Sequence, residues 1–111
     1  MDDASDDWFP FKTLTGHTST VWAISFSPDG QLLASCSDDE TILIWKEAKT
    51  GWEPVCQLKG HGGAVYSVAW EYRSKEANPA ALWLASASAD GDIRVWEISV
   101  RGLDWRCGDK H

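Results

Sequence analysis

The stretch LLASCSDDETILIW, Leu32 to Trp45, returns further along the chain as LASASADGDIRVW, Leu84 to Trp96. Each copy sets a Ser four residues before an Asp and a Trp six after it: Ser35, Asp39, Trp45, then Ser86, Asp90, Trp96. A Gly-His pair stands upstream of each, at Gly16-His17 and Gly60-His61. A shift of 44 residues aligns Trp8 with Trp52, Pro10 with Pro54, Leu14 with Leu58, Val21 with Val65, Ile24 with Val68 and Phe26 with Trp70. From Ala34 against Ala85 onwards the shift is 51, because SPDGQL in the first copy is replaced by EYRSKEANPAALW in the second. Repetition at this period constrains the fold strongly, since one unit cannot bury its own apolar face and must stack on a neighbour.

The repeated words are strands. VWAISF and VYSVAW alternate apolar residues with small or aromatic ones; LLASCS and LWLASAS are short apolar runs; TILIW and DIRVW are rich in β-branched residues. SPDG, SDDE and SADG are turns between them. WFPFKTL and WEPVCQL add a further strand before each Gly-His pair, and the Pro at their third position removes a ladder donor, which suits an outermost strand. The expected class is all-β, with four short strands per repeat.

Charge and cysteines narrow the function. The net charge of −7 disfavours nucleic acid as a direct ligand, because such binding draws on Lys and Arg to displace counterions. Four of the 17 acidic residues lie in the opening MDDASDD, read as a solvated acidic tail over 1–7. Cys36, Cys56 and Cys107 are odd in number and widely spaced, so no disulfide framework and no metal site is expected, and a reducing compartment fits. Cys36 and Cys56 are expected to be small buried residues and Cys107 to be exposed. Neither a leader peptide nor an apolar run long enough to span a membrane stands out, so cytoplasm is expected, with the nucleus as a second compartment.

The period, the Gly-His pair, the S-x-D turn and the strand-final Trp together resemble the WD40 repeat, whose blades are four-stranded antiparallel sheets around a propeller axis. The Asp of the name-giving dipeptide is absent: Lys46 follows Trp45 and Glu97 follows Trp96. The implied organisation is an outer strand plus a first blade over 8–58, an incomplete second blade over 59–98 with an insertion at 71–81, and an irregular tail over 99–111. Propellers close with about 4 to 8 blades, so two blades imply a fragment of a larger ring, most naturally of seven, and need of the remaining blades or of further copies. In the second case Trp8 to Leu14 of one copy completes the unfinished blade of the next.

A His, a Ser and an Asp found twice pose a choice between a catalytic triad and a structural clasp. In the family resembled, the residues matching His17, Ser35, Asp39 and Trp45, and His61, Ser86, Asp90 and Trp96, form a buried hydrogen-bond chain. Donor chemistry agrees: indole donates, carboxylate accepts, His does both, and a Ser hydroxyl closes the chain. No G-x-S-x-G elbow surrounds Ser35 or Ser86, and an enzyme needs one active site rather than one per blade. The expectation is a clasp, with no catalytic residue and no cofactor.

A narrower resemblance rests on LASCSDD, on WEPVCQLKGH and on SDDW ahead of the first repeat, which look like the WD40 subunit of the cytosolic iron–sulfur protein assembly machinery. It implies a non-catalytic scaffold that helps deliver iron–sulfur clusters to extramitochondrial apo-proteins and contacts assembly subunits and clients, without a membrane. The other reading is a WD40 adaptor in a chromatin, trafficking or ubiquitin-ligase complex. Candidate partner-binding positions are the loop residues Thr18, Ser19, Thr20, Asp38, Glu40, Gly62, Gly63 and Asp92.

Overall fold

The computed structural model describes residues 10–49, 51–74, 81–101 and 104–110. Among them, eight strands form two four-stranded antiparallel sheets, which are two blades. Blade 1 is β1 (Val21–Phe26), β2 (Leu32–Ser37), β3 (Ile42–Ala48) and β4 (Gly51–Leu58), paired in that order. Blade 2 repeats the order with β5 (Val65–Ser74), β6 (Ala81–Ser88), β7 (Ile93–Arg101) and β8 (Asp104–Lys110).

Each sheet has a front face, which carries the strand-final Trp, and a rear face. On β2, Leu33 and Ser35 pair with Trp45 and Leu43 on the front, while Ala34 and Cys36 pair with Ile44 and Ile42 on the rear. All six residues of β2 are buried, which is why the strand is an unbroken run of apolar and small side chains. The front of blade 2 packs on the rear of blade 1: Val65, Val68, Leu84 and Trp96 share a core with Ala34, Cys36, Ile42 and Ile44. Trp70 Nε1 donates across this interface to the Ser25 carbonyl at 2.8 Å, and the rings of Trp22 and Tyr66 meet edge to face at 5.5 Å. On the front of blade 1, Leu33, Leu43 and Trp45 pack with Leu14 and Trp52.

Pro54 lies on β4, the outer edge of blade 1, where the ladder with β3 shifts register between Ile44 and Trp45. An edge strand tolerates both the missing donor and the irregularity.

Four expectations change. Residues 99–111 are not an irregular tail, and blade 2 is not short of its fourth strand: β8 pairs with β7 from Arg101↔Asp104 to Val95↔Lys110. The cause is the open edge of β7, whose unpaired backbone groups are satisfied by the returning chain. That edge is therefore not free to take Trp8–Leu14 of another copy, and Pro10–Leu14 belong to no strand because no ladder is offered to them. Trp8 and Phe9 lie outside the described residues, as does the acidic tail. The insertion is entered and left on strands: β5 runs on to Ser74 and β6 begins at Ala81, with 75–80 outside the described residues. Finally, Cys36 is a free buried thiol, but Cys56 on β4 is disulfide-bonded. Spacing along the chain does not register that β4 and β8 lie side by side. The exposure expected of Cys107 concerns a side chain outside the described set.

Candidate functional site

The loop that enters β1 folds against the turn between β2 and β3. Gly16 makes this approach possible, since a Cβ there would stand 3.1 Å from the Leu43 side chain and 3.2 Å from the Trp45 ring. His17 is thereby held with Nδ1 2.9 Å from Asp39 Oδ2 and Nε2 2.7 Å from Ser35 Oγ. Trp45 Nε1 lies 2.8 Å from the same Ser35 oxygen. Indole nitrogen only donates and a carboxylate only accepts, so with a neutral imidazole the direction of the chain follows: Trp45 donates to Ser35, the Ser35 hydroxyl to His17 Nε2, and His17 Nδ1–H to Asp39. In blade 2 the His61–Asp90, His61–Ser86 and Trp96–Ser86 separations are 3.1, 2.8 and 2.9 Å.

Both carboxylates sit below the usual Asp range. At Asp39 burial works against ionisation, but the Thr41 hydroxyl at 2.6 Å, the Thr18 amide, His17 and the Thr41 amide outweigh it. At Asp90 the Asp92 and Gly62 amides lead, at 2.8 and 2.7 Å, and overcome a smaller desolvation effect with the help of His61. On the opposite face, burial pushes the Cys36 thiol up, and its S–H donates to the Ala23 carbonyl at 3.6 Å.

The order Ser to His to Asp is that of a nucleophilic triad, formed twice. Two features set it apart. Ser35 and Ser86 are buried, and each hydroxyl oxygen already accepts an indole proton, where a nucleophile needs a lone pair aimed at an incoming carbonyl. What the arrangement does well is join three chain segments while leaving its buried polar atoms partnered.

The loop candidates are mostly turn-formers with exposed surfaces. Thr18, Ser19, Thr20, Asp38, Glu40, Gly62 and Asp92 are exposed, while Gly63 is partly buried. Several have structural work as well: Ser19 and Gly63 carbonyls accept from Ser37 and Ser88, and Thr20 O accepts from the Asp38 amide. A polar groove of about 310 Å³ brings Thr18 and Glu40 together with Thr41, Gln57 and Lys59 between the blades. Ser19, Thr20, Asp38, Gly62, Gly63 and Asp92 do not line it. A second, largely apolar cavity of about 330 Å³ opens on the front of blade 1, lined by Leu14, Ile24, Phe26, Trp45 and Trp52 among others.

Residues passed over by the sequence reading also build the site. Ser37 and Ser88 accept the Asp39 and Asp90 amides, a role signalled by the S-x-S-x-D spacing present in both copies. Trp22 Nε1 donates to Asp38 Oδ1 at 3.2 Å, fixing one candidate loop carboxylate over β1. Glu40 holds φ at 74°, in the position where blade 2 has Gly91 at 89°. Among the described residues, no three His, Cys, Asp or Glu side chains are grouped to hold a metal ion, and no helix is long and apolar enough to cross a membrane.

The family model for the WD domain, G-beta repeat, matches residues 8–46 and 52–97. The "Probable cytosolic iron-sulfur protein assembly protein Ciao1" of Aedes aegypti is 40% identical over 110 residues, covering 86% of this chain and 31% of that protein. Its counterpart of the same name in Culex quinquefasciatus is 45% identical over 110 residues, 86% of this chain and 30% of that protein. The "WD repeat-containing protein 1" of Gallus gallus is 37% identical over 99 residues, 86% of this chain and 15% of that protein. The chain therefore spans about a third of the length of the two insect relatives.

Proposed function

Because this chain belongs to the WD40-repeat family, we propose that it acts as a non-catalytic scaffold in cytosolic iron–sulfur protein assembly, helping deliver clusters to extramitochondrial apo-proteins in the cytoplasm. The observation that carries this reading is its likeness to relatives named for that process, over most of its length. The site chemistry supports it, since the polar machinery is spent inside each blade while the loops at Thr18–Thr20, Asp38, Glu40, Gly62, Gly63 and Asp92 remain for partners.

The test is quantitative affinity capture of the tagged chain from cytosol, beside a WD40 chain of unrelated role. Enrichment of iron–sulfur assembly subunits and apo-clients over that control is expected. Recovery equal to the control sinks the proposal. The second reading, an adaptor in another complex, is favoured by the likeness to WD repeat-containing protein 1. Under it, capture enriches a reproducible set of partners without assembly subunits.

A further inference from the structure

The three cysteines of the chain stand in different settings. Cys36 is a free thiol, 0% exposed in the core between the blades. Cys56, on the outer strand β4, is disulfide-bonded and only partly buried. A disulfide takes two cysteines, and with Cys36 free the chain offers Cys56 one other, Cys107. Strand register brings the same two positions together. Cys56 pairs with Ile44, on the rear of blade 1, and Cys107 pairs with Ile98, two residues beyond Trp96 and so on the front of blade 2. Ile44 and Ile98 both belong to the core that the blades share, and Cys56 packs against it. The two cysteine positions therefore stand on the faces that the blades turn to each other, on the adjoining strands β4 and β8. Neither the open front of blade 1 nor the open rear of blade 2 takes part.

We infer that Cys56 and Cys107 form a reversible redox lock between the outer strands of the two blades, closed and opened by thiol–disulfide exchange with a small thiol such as glutathione. Its reversibility rests on the cytoplasmic setting of the proposed function, a compartment in which thiols are held reduced and disulfides are transient or redox-sensing. Place in the fold agrees with this: Cys56 lies partly exposed on an outer strand, within reach of a small thiol, whereas Cys36 is sealed in the core. In closing, one cysteine thiolate attacks oxidised glutathione, which forms a mixed disulfide and releases one glutathione thiol. The second cysteine attacks the protein sulfur of that mixed disulfide, the bond between the strands forms, and the second glutathione leaves. Two electrons and two protons thus pass from the cysteine pair to the two glutathiones, and an excess of reduced glutathione runs both exchanges backwards. The bond ties positions 51 residues apart, so it restricts the unfolded chain and fastens β8 of blade 2 to blade 1.

The experiment is a thiol count on the purified 111-residue chain, equilibrated with oxidised glutathione, then denatured, alkylated and mapped by mass spectrometry without reductant. One alkylated cysteine, Cys36, and one linked peptide pair holding Cys56 and Cys107 are expected. Excess reduced glutathione at millimolar concentration should raise the count to all three cysteines and lower the melting temperature by about 10 °C, and returning the chain to oxidised glutathione should restore both. Cys56→Ser and Cys107→Ser should each keep their β structure by circular dichroism and melt alike in the two buffers. Three free thiols in oxidised glutathione overturn the inference, as does a bond to Cys36 or to a second chain. A bond that reduced glutathione leaves closed overturns the switch, and so does a parent chain whose melting ignores the buffer. Because these readouts are taken on the purified chain, they stand or fall separately from what the capture experiment recovers.

Discussion

Replacing Ser86 by Ala removes one oxygen from the centre of the blade 2 clasp and disconnects two buried groups, Trp96 Nε1 at 2.9 Å and His61 Nε2 at 2.8 Å. A neutral hydrogen bond contributes about 1 kcal/mol net, and a buried donor left without a partner costs about 1–3 kcal/mol. The indole N–H has no route to solvent, since Trp96 is buried under the rear of blade 1, so the expected loss is about 3 kcal/mol. Ser35→Ala removes the same two bonds in blade 1, but Ser35, His17 and Trp45 line an open cavity where water can stand in for the lost hydroxyl. A smaller loss of about 1 kcal/mol follows. Urea unfolding followed by tryptophan fluorescence gives both values, and Ser86→Ala combined with Trp96→Phe completes a cycle. The double variant should be less destabilised than the sum of the singles by about 1–2 kcal/mol, because removing the donor removes the penalty of stranding it. Equal losses at Ser35 and Ser86, or strict additivity in the cycle, would refute the reasoning.

Other perturbations probe the remaining features. Gly91 holds φ at 89° with nothing near its missing Cβ, so Gly91→Ala should lower stability by about 1–2 kcal/mol from backbone strain alone. Glu40→Gly should change it in the opposite sense, and a thermal melt reads both. Asp39 and Asp90 are held below the usual Asp range in the folded state, so the stability they contribute is present above the unfolded value of about 3.9 and is lost as pH falls below it. The urea midpoint should therefore drop on acidification below about pH 4, and less steeply in Asp39→Asn; a midpoint that holds steady under acid contradicts this. Trp70→Phe deletes the indole bond to the Ser25 carbonyl, and a loss of about 1 kcal/mol or more is expected in the same assay.

Repetition made some of this readable in advance. His17, Ser35, Asp39 and Trp45 stand out only because His61, Ser86, Asp90 and Trp96 repeat their order, and β2 and β3 are recognisable by their own composition. Other features are decided by neighbours. The word W-x-P occurs twice, yet Pro54 lies on a strand and Pro10 does not, because only β4 has a ladder to join. DWRCGDK has no alternation and contains Gly108, but the open edge of β7 makes it β8. The disulfide at Cys56 depends likewise on how outer strands adjoin, a relation absent from residue spacing. Trp22 and Asp38 are 16 positions apart, and nothing local marks their bond.

The clasp carries a lesson for anyone who searches coordinates for hydrolases by template. Three residue types and two separations, Ser to His and His to Asp, would flag both blades at 2.7–3.1 Å. A third separation, from the Ser oxygen to the nearest obligate donor, rejects them at 2.8 and 2.9 Å. Template filters that count what the hydroxyl oxygen already accepts would thus separate a locked seryl group from a reactive one, even where both share the same imidazole and carboxylate.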